Sequence, residues 1–287
     1  MGVGIVLMIT AIMLGQVEGV FIKKYNSKHE NGGFIFTALV SLFSMLFFLI
    51  TDTDGFHIPQ GMWIYSLAAG VLYCSASFLT YVALGCGSYA MSMLILSYGL
   101  VFKIGYGLFF LNEQANIFTY IGLAVIMISI YLTRGEKDKE KKKVSVKWLV
   151  CILISVFGSG MFGVVQKMQQ VKFDNSCTNE FMVIALGISA ATLFVIGIVR
   201  DGKNLKYILK YGSAYAVSAG VANGANNACG FIINNLMPVS LSSPIQSGLR
   251  IITVFLISKV IFKEKFLRRQ VAGVFLGAVA LVLLNIN

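Results

Sequence analysis

The sequence predicts an all-α membrane protein of ten transmembrane helices, arranged as two inverted five-helix repeats. Three observations lead there. The 287 residues are 57% hydrophobic and only 12% charged, with a mean hydropathy of +0.81. A soluble domain carries about 25% charged residues. Apolar blocks near the length needed to cross a bilayer alternate with short polar ones. The second part of the chain also repeats features of the first at a nearly constant offset.

The elements follow in order. Span 1 covers residues 3–22. No basic segment precedes it and no small-residue cleavage site follows, so it reads as a retained helix and not a removable signal. Spans 2 to 5 cover 33–50, 62–85, 89–111 and 117–133. Only "GCGS" separates the third from the fourth, which makes that pair antiparallel neighbours. The most polar stretch, "TRGEKDKEKKKVSVK", then supplies a basic linker, 134–147, between a first repeat, 1–133, and a second, 148–287. Spans 6 to 10 cover 148–171, 181–199, 212–236, 240–262 and 270–286. The eighth and ninth are joined by "NNLMPV". Glycine occurs 29 times and proline three times. Small residues let membrane helices approach closely, so the pattern suits a tight bundle.

The duplication rests on three matches in the same order. "YSLAAGV" at 65–71 resembles "YAVSAGV" at 215–221. Gly19 and Lys23 match Gly163 and Lys167, and Glu113 and Gly122 match Glu264 and Gly273. Because each half has an odd number of spans, the second enters the membrane from the opposite side, a design that places a binding site at midplane.

Charge sets the orientation. The loops after spans 1, 5, 7 and 9, together with Lys259 in the last turn of span 9, hold 19 of the 23 lysines and arginines. The positive-inside rule then puts the linker in the cytoplasm and both termini outside, in a plasma membrane such as a bacterial inner membrane. The formal charge of +11 lies at helix ends, which argues against a nucleic-acid partner.

The stretches "LFFLNEQANIFTYIGLAVIMISIYL" and "VIFKEKFLRRQVAGVFLGAVALVLL" each read as a helix ending in Glu, a turn and a glycine-bearing final helix. In this, and in its whole-length duplication, the chain resembles the drug/metabolite transporter superfamily, in particular its EamA-type members. The resemblance implies a secondary transporter whose central cavity is lined mainly by the first, third and fourth helices of each half. The opening stretch "GQVEG" also resembles the first helix of small multidrug-resistance exporters, in which a coupling Glu stands three residues before a Gly. Alignment on Gly19 puts Gln16 at that position.

Three ionisable side chains lie well inside apolar spans, away from their ends: Glu18, Lys103 and Arg250. A charge at the bilayer centre costs roughly 2.5–3.5 kcal/mol on insertion scales, so such groups face a cavity or a partner. The two cations suit a carboxylate or phosphate. Glu18 suits a substrate amine or a coupling proton or ion; the alternative is a permanent ion pair that locks helices. In span 8, Asn223, Asn226, Asn227, Gly230 and Asn234 share one helix face. Tyr73 and Ser77 occupy the corresponding face of span 3, and Tyr98, Gln246 and Ser247 are further candidates for the same cavity. Pro244 removes a backbone donor and Gly248 follows, so "SSPIQSG" is a candidate hinge. Glu113 and Glu264 read as caps or salt bridges at their own turns.

No Cys/His cluster has metal-ligand spacing and no catalytic motif appears, so no metal, cofactor or enzymatic role is expected. "FGSGMFG" lacks the Lys-Ser/Thr of a phosphate loop. The expected activity is secondary transport of a small anionic or zwitterionic metabolite, amino-acid-like, by a monomer or homodimer in the lipid bilayer. Export of cationic or aromatic drugs and a non-transporting scaffold or receptor are the alternatives.

Overall fold

The computed structural model describes residues 2–29, 32–52, 55–113, 117–133, 146–202, 205–264 and 268–284. The expected linker, 134–147, lies outside the described residues except for its last two. The described chain is all helix and loop: α1 (Gly2–Lys28), α2 (Gly33–Thr51), α3 (Met62–Cys86), α4 (Tyr89–Leu96), a 3-10 turn (Ser97–Gly99), α5 (Leu100–Phe110), α6 (Ile117–Thr133), α7 (Val146–Lys172), α8 (Thr178–Asp201), α9 (Leu205–Leu236), α10 (Val239–Val260) and α11 (Arg268–Leu284). In hydrocarbon, helices satisfy every backbone donor and acceptor within the segment, which is why these apolar runs adopt them.

Among the described residues, seven stretches are long and apolar enough to cross a membrane: α1, α2, α3, the α4–α5 rod, α7, α8 and α10. The described stretches of α6 and α11 hold 17 residues each. Helix α9 is long but carries five asparagines. The expected fourth span is therefore not one α-helix. It is broken by the 3-10 turn at Ser97–Gly99, whereas α10 runs without a break through Pro244 and Gly248. The irregularity expected at Pro244 lies instead in the α4–α5 rod.

Packing groups the helices into two bodies. Helix α2 packs on α8 and α9, α3 on α7 and α8, and α1 on α9, giving a six-helix body. Helix α6 packs on α11, and α10 packs on α4, α5, α6 and α11, giving the second body. The seam between the bodies is formed chiefly by α1 against α10 and by α7 against the α4–α5 rod. Each body therefore combines helices from both sides of residue 140.

Interhelix hydrogen bonds recur in pairs. Lys23 Nζ on α1 donates to the carbonyls of Leu84 (2.5 Å) and Gly87 (2.7 Å), and Asn26 Nδ2 donates to Tyr81 O (2.7 Å). On α7, Lys167 Nζ donates to Asn234 O (2.8 Å) and Gln170 Nε2 to Phe231 O (3.1 Å). Both sets bind carbonyls near the C-terminal end of a neighbouring helix, where Leu84 O and Asn234 O fall among the last four carbonyls that lack a partner within the helix.

The carboxylates Glu113 and Glu264 do the reverse. Glu113, after α5, accepts from the backbone N–H groups of Val239 (3.0 Å) and Ser240 (2.8 Å) at the start of α10. Glu264, after α10, accepts from Tyr89 N (2.8 Å) and Ala90 N (3.3 Å) at the start of α4. Each Glu follows a residue in left-handed conformation, Asn112 (φ 51°) and Lys263 (φ 53°), which turns the chain back towards the neighbouring helix. A carboxylate at a helix N-terminus satisfies free N–H groups and matches the helix dipole. The expected caps at their own turns are thus caps on a partner helix.

Candidate functional site

A cavity of about 270 Å³ lies on the seam between the two bodies. The face of α1 turned to it carries Gly15, Glu18, Gly19 and Ile22, spaced by one helical turn, with Gln16 beside them. Helix α10 contributes Ser243, Gln246, Ser247 and Arg250 at the same spacing. Lys103 enters from α5, Tyr73 and Ser77 from α3, and Asn223, Asn226 and Asn227 from α9. Helix α7 adds Ser159, Gly160, Gly163 and Gln166, and α2 adds Thr37 and Val40.

The six-helix body presents Glu18 through a fixed amide network. Asn223 Oδ1 accepts from Ser44 Oγ (2.8 Å), Tyr73 Oη (3.0 Å) and Asn227 Nδ2 (3.2 Å). The Glu18 carboxylate, which only accepts when ionised, defines which end of the Asn223 amide is nitrogen. Asn223 Nδ2 donates to Glu18 Oε1 at 3.0 Å. Asn227 Oδ1 in turn accepts from Gln166 Nε2 at 3.1 Å. The network joins α1, α2, α3, α7 and α9 behind one carboxylate.

The second body presents the cations. Lys103 on α5 passes across Gly163 of α7, where an added Cβ would overlap Lys103 Cε. One turn away, Gly99 and Gly160 bring the backbones of the rod and α7 together: a Cβ on Gly160 would lie 2.9 Å from Gly99 O. The glycines of "FGSGMFG" therefore admit the lysine and the rod. Arg250 acts electrostatically on both Glu18 and Lys103. Among the described residues, neither the Lys103 ammonium nor the Arg250 guanidinium makes a hydrogen bond or ion pair with the protein. Two further seam bonds tie the bodies: Tyr89 Oη donates to Gln16 Oε1 (2.6 Å), and Trp148 Nε1 donates to Ser92 Oγ (3.1 Å).

Glu18, Lys103, Arg250, Asn223, Asn226, Asn227, Tyr73, Ser77 and Gln246 thus share one cavity. Tyr98 does not: it sits in the 3-10 turn, half-buried against the larger apolar cluster, and Ser97 takes its place in the lining. Gly248 is buried within α10, outside the lining. Asn223 and Asn227 use their amides on each other and on neighbours, and Ser77 Oγ donates to Cys74 O (3.2 Å). Asn226 and Gln246 keep free amides among the described residues.

Sequence reasoning missed Gln166, Ser44 and Tyr89. Gln166 carried a signal, because an amide in an apolar span precedes the repeat-matched Lys167. Ser44 carried none, since a serine in a span reads as packing. Tyr89 stands at a helix start, where nothing in the sequence shows that its hydroxyl reaches Gln16.

No protein-family model matches the sequence, and no curated protein matches it. The fold is shared: one solved crystal structure superposes with a TM-score of 0.72 over 99% of this chain and 96% of that one, at 12% identity. That likeness establishes the arrangement of helices.

Proposed function

We propose that the protein is a secondary transporter of the drug/metabolite transporter superfamily, EamA-like, which moves a small polar metabolite across the plasma membrane by alternating access. The observation that carries this reading is the seam cavity, where Glu18 from one body meets Lys103 and Arg250 from the other. Ionisable groups placed in apolar helices around a cavity are characteristic of a substrate or ion pathway.

Ten crossings in two inverted repeats accompany the reading. The α1-to-α3 bonds and the α7-to-α9 bonds use residue pairs 144 and 150 positions apart, and the two cross-helix carboxylate caps are 151 apart. The packing pairs exchange in the same way: α1 with α9 answers α7 with α3, while α2–α8 and α6–α11 map onto themselves. Helices α1, α3, the α4–α5 rod, α7, α9 and α10 supply most of the lining, as the family resemblance implies. On this reading the basic linker faces the cytoplasm and both termini lie outside.

The moving units are the six-helix body and the body of α4, α5, α6, α10 and α11, not the two sequence halves. Rocking of the halves would tear α2 from α8, α3 from α7 and α1 from α9, and would break the bonds around Asn223. Opening at the seam breaks few bonds and alters access to the cavity. Glu18 serves as the coupling group, taking a proton or an ion as the seam opens and the field of Arg250 on it weakens.

The test is reconstitution into proteoliposomes, with counterflow of candidate metabolites chosen by thermal-shift screening. The reading predicts counterflow by at least one of them, with a pH dependence that Glu18→Gln abolishes. Ligands that bind without counterflow would mark a receptor, and preference for lipophilic cations a drug exporter. Unchanged pH dependence in Glu18→Gln would remove that residue from coupling.

A further inference from the structure

The cavity lining has a charge imbalance that restricts what can occupy it. Among its described residues, one acid, Glu18, faces two bases, Lys103 and Arg250, for a formal balance of +1. Protonation of Glu18 only raises that balance. Glu18 is also committed, since Asn223 holds one of its oxygens at 3.0 Å. The two cations have no hydrogen-bond or ion-pair partner among the described residues. Lys103 is held by a close pass over Gly163, which a side chain there would block, so its position is built in. The free amides of Asn226 and Gln246 offer both donors and acceptors in the same cavity.

A charge deep in hydrocarbon needs a partner. A zwitterion adds no net charge and leaves the site at +1. A cation raises it further. Only a net-negative solute brings the occupied cavity towards neutrality. Resting on the reading that the cavity carries a substrate, we propose that the substrate is net negative, a carboxylate or phosphate monoester, with its anionic group on Lys103 and Arg250 and its neutral polar part on Asn226 and Gln246. An overall zwitterion such as a neutral amino acid is then a poor substrate.

The experiment titrates the purified protein at constant ionic strength with inorganic phosphate, glutarate, glycine and neutral glutaramide, and reads thermal stability. A ligand that binds only the folded state shifts the melting temperature in a saturable way. The expected result is saturable stabilisation by phosphate or glutarate, with little response to glycine or glutaramide. The stronger of the two anions identifies the phosphate or carboxylate form. Lys103→Met and Arg250→Met should each weaken that anion by at least about tenfold, because a charge-assisted bond is lost. Lys103→Arg, which keeps the charge, and Lys28→Met, outside the cavity, should retain the response.

The proposal is overturned if the wild-type protein shows no saturable anion response, if Lys28→Met loses as much as the cavity variants, or if glycine matches glutarate. Glutarate counterflow in proteoliposomes separates the two readings. Anion binding without counterflow leaves the site standing and removes the transport function. Counterflow of a neutral zwitterion without any anion response does the opposite.

Discussion

Asn223 carries more of the site than its position in an amide stripe indicates. It is buried, and its single side chain takes three donors and gives one bond to Glu18. Truncation in Asn223→Ala leaves the buried hydroxyls of Ser44 and Tyr73 without their acceptor. Each orphaned buried group costs about 1–3 kcal/mol, so a clear fall in melting temperature is expected. The same variant releases Glu18, so the pH dependence of transport should change along with stability. Ser44→Ala removes one donor and should lower stability by about 1 kcal/mol while leaving the pH dependence intact. Comparison of the two by thermal melting and pH-dependent counterflow separates the positioning of Glu18 from general packing. The charged trio was legible in the sequence because ionisable groups stand out in apolar spans. The role of Asn223 was not, because it depends on α1, α2 and α3 converging on one point of α9. Three of its partners are 150 or more positions away.

At the scale of the element, span boundaries were legible wherever an apolar run ended at a charge or a tight turn. Helix α3 runs from Met62 to Cys86, against an expected 62–85. The 3-10 break at Ser97–Gly99 was not, because "LSYGL" has no proline, whereas "SSPIQSG" has one and stays helical. Close packing accompanies the break. Gly99 lies against Gly160, and the rod tightens to pass α7. Gly163→Ala tests that contact: the added methyl displaces Lys103 without changing any charge. Phosphate or glutarate binding should fall towards that of Lys103→Met, with an unaltered melting temperature in the absence of anion as the sign that α7 itself still packs.

The carboxylate caps belong to the same scale. Glu264 satisfies two N–H groups of α4 and also accepts from Ser258 Oγ. Replacement by Gln should destabilise the protein by about 1–2 kcal/mol, in the range of lost helix caps. Glu113→Gln, which loses only the cap on α10, should cost less. Chemical or thermal unfolding of both variants in one detergent checks the order.

For the whole molecule, the residues that recur along the sequence proved to be bonding groups: Lys23 and Lys167 at carbonyl ends, Glu113 and Glu264 at amide ends. The grouping of helices was not legible, because short connections suggest sequential packing while the strongest contacts join distant helices. A disulfide distinguishes the resulting motions. Ser41 Oγ on α2 and Ser189 Oγ on α8 lie 3.3 Å apart, within one body but in different sequence halves. The double variant Ser41→Cys/Ser189→Cys should keep transport when oxidised. Motion of the two halves against each other would instead be blocked until a reductant is added.

The central claim is that both membrane faces reach one cavity in turn. Its most direct test is a cysteine at Asn226, whose amide is free in the lining, in a protein with its five native cysteines replaced. Right-side-out and inside-out vesicles are then treated with a membrane-impermeant maleimide. The account predicts labelling from each side, slowed in both cases by the anion that stabilises the purified protein. Labelling from neither side, or from one side only with or without anion, would contradict it.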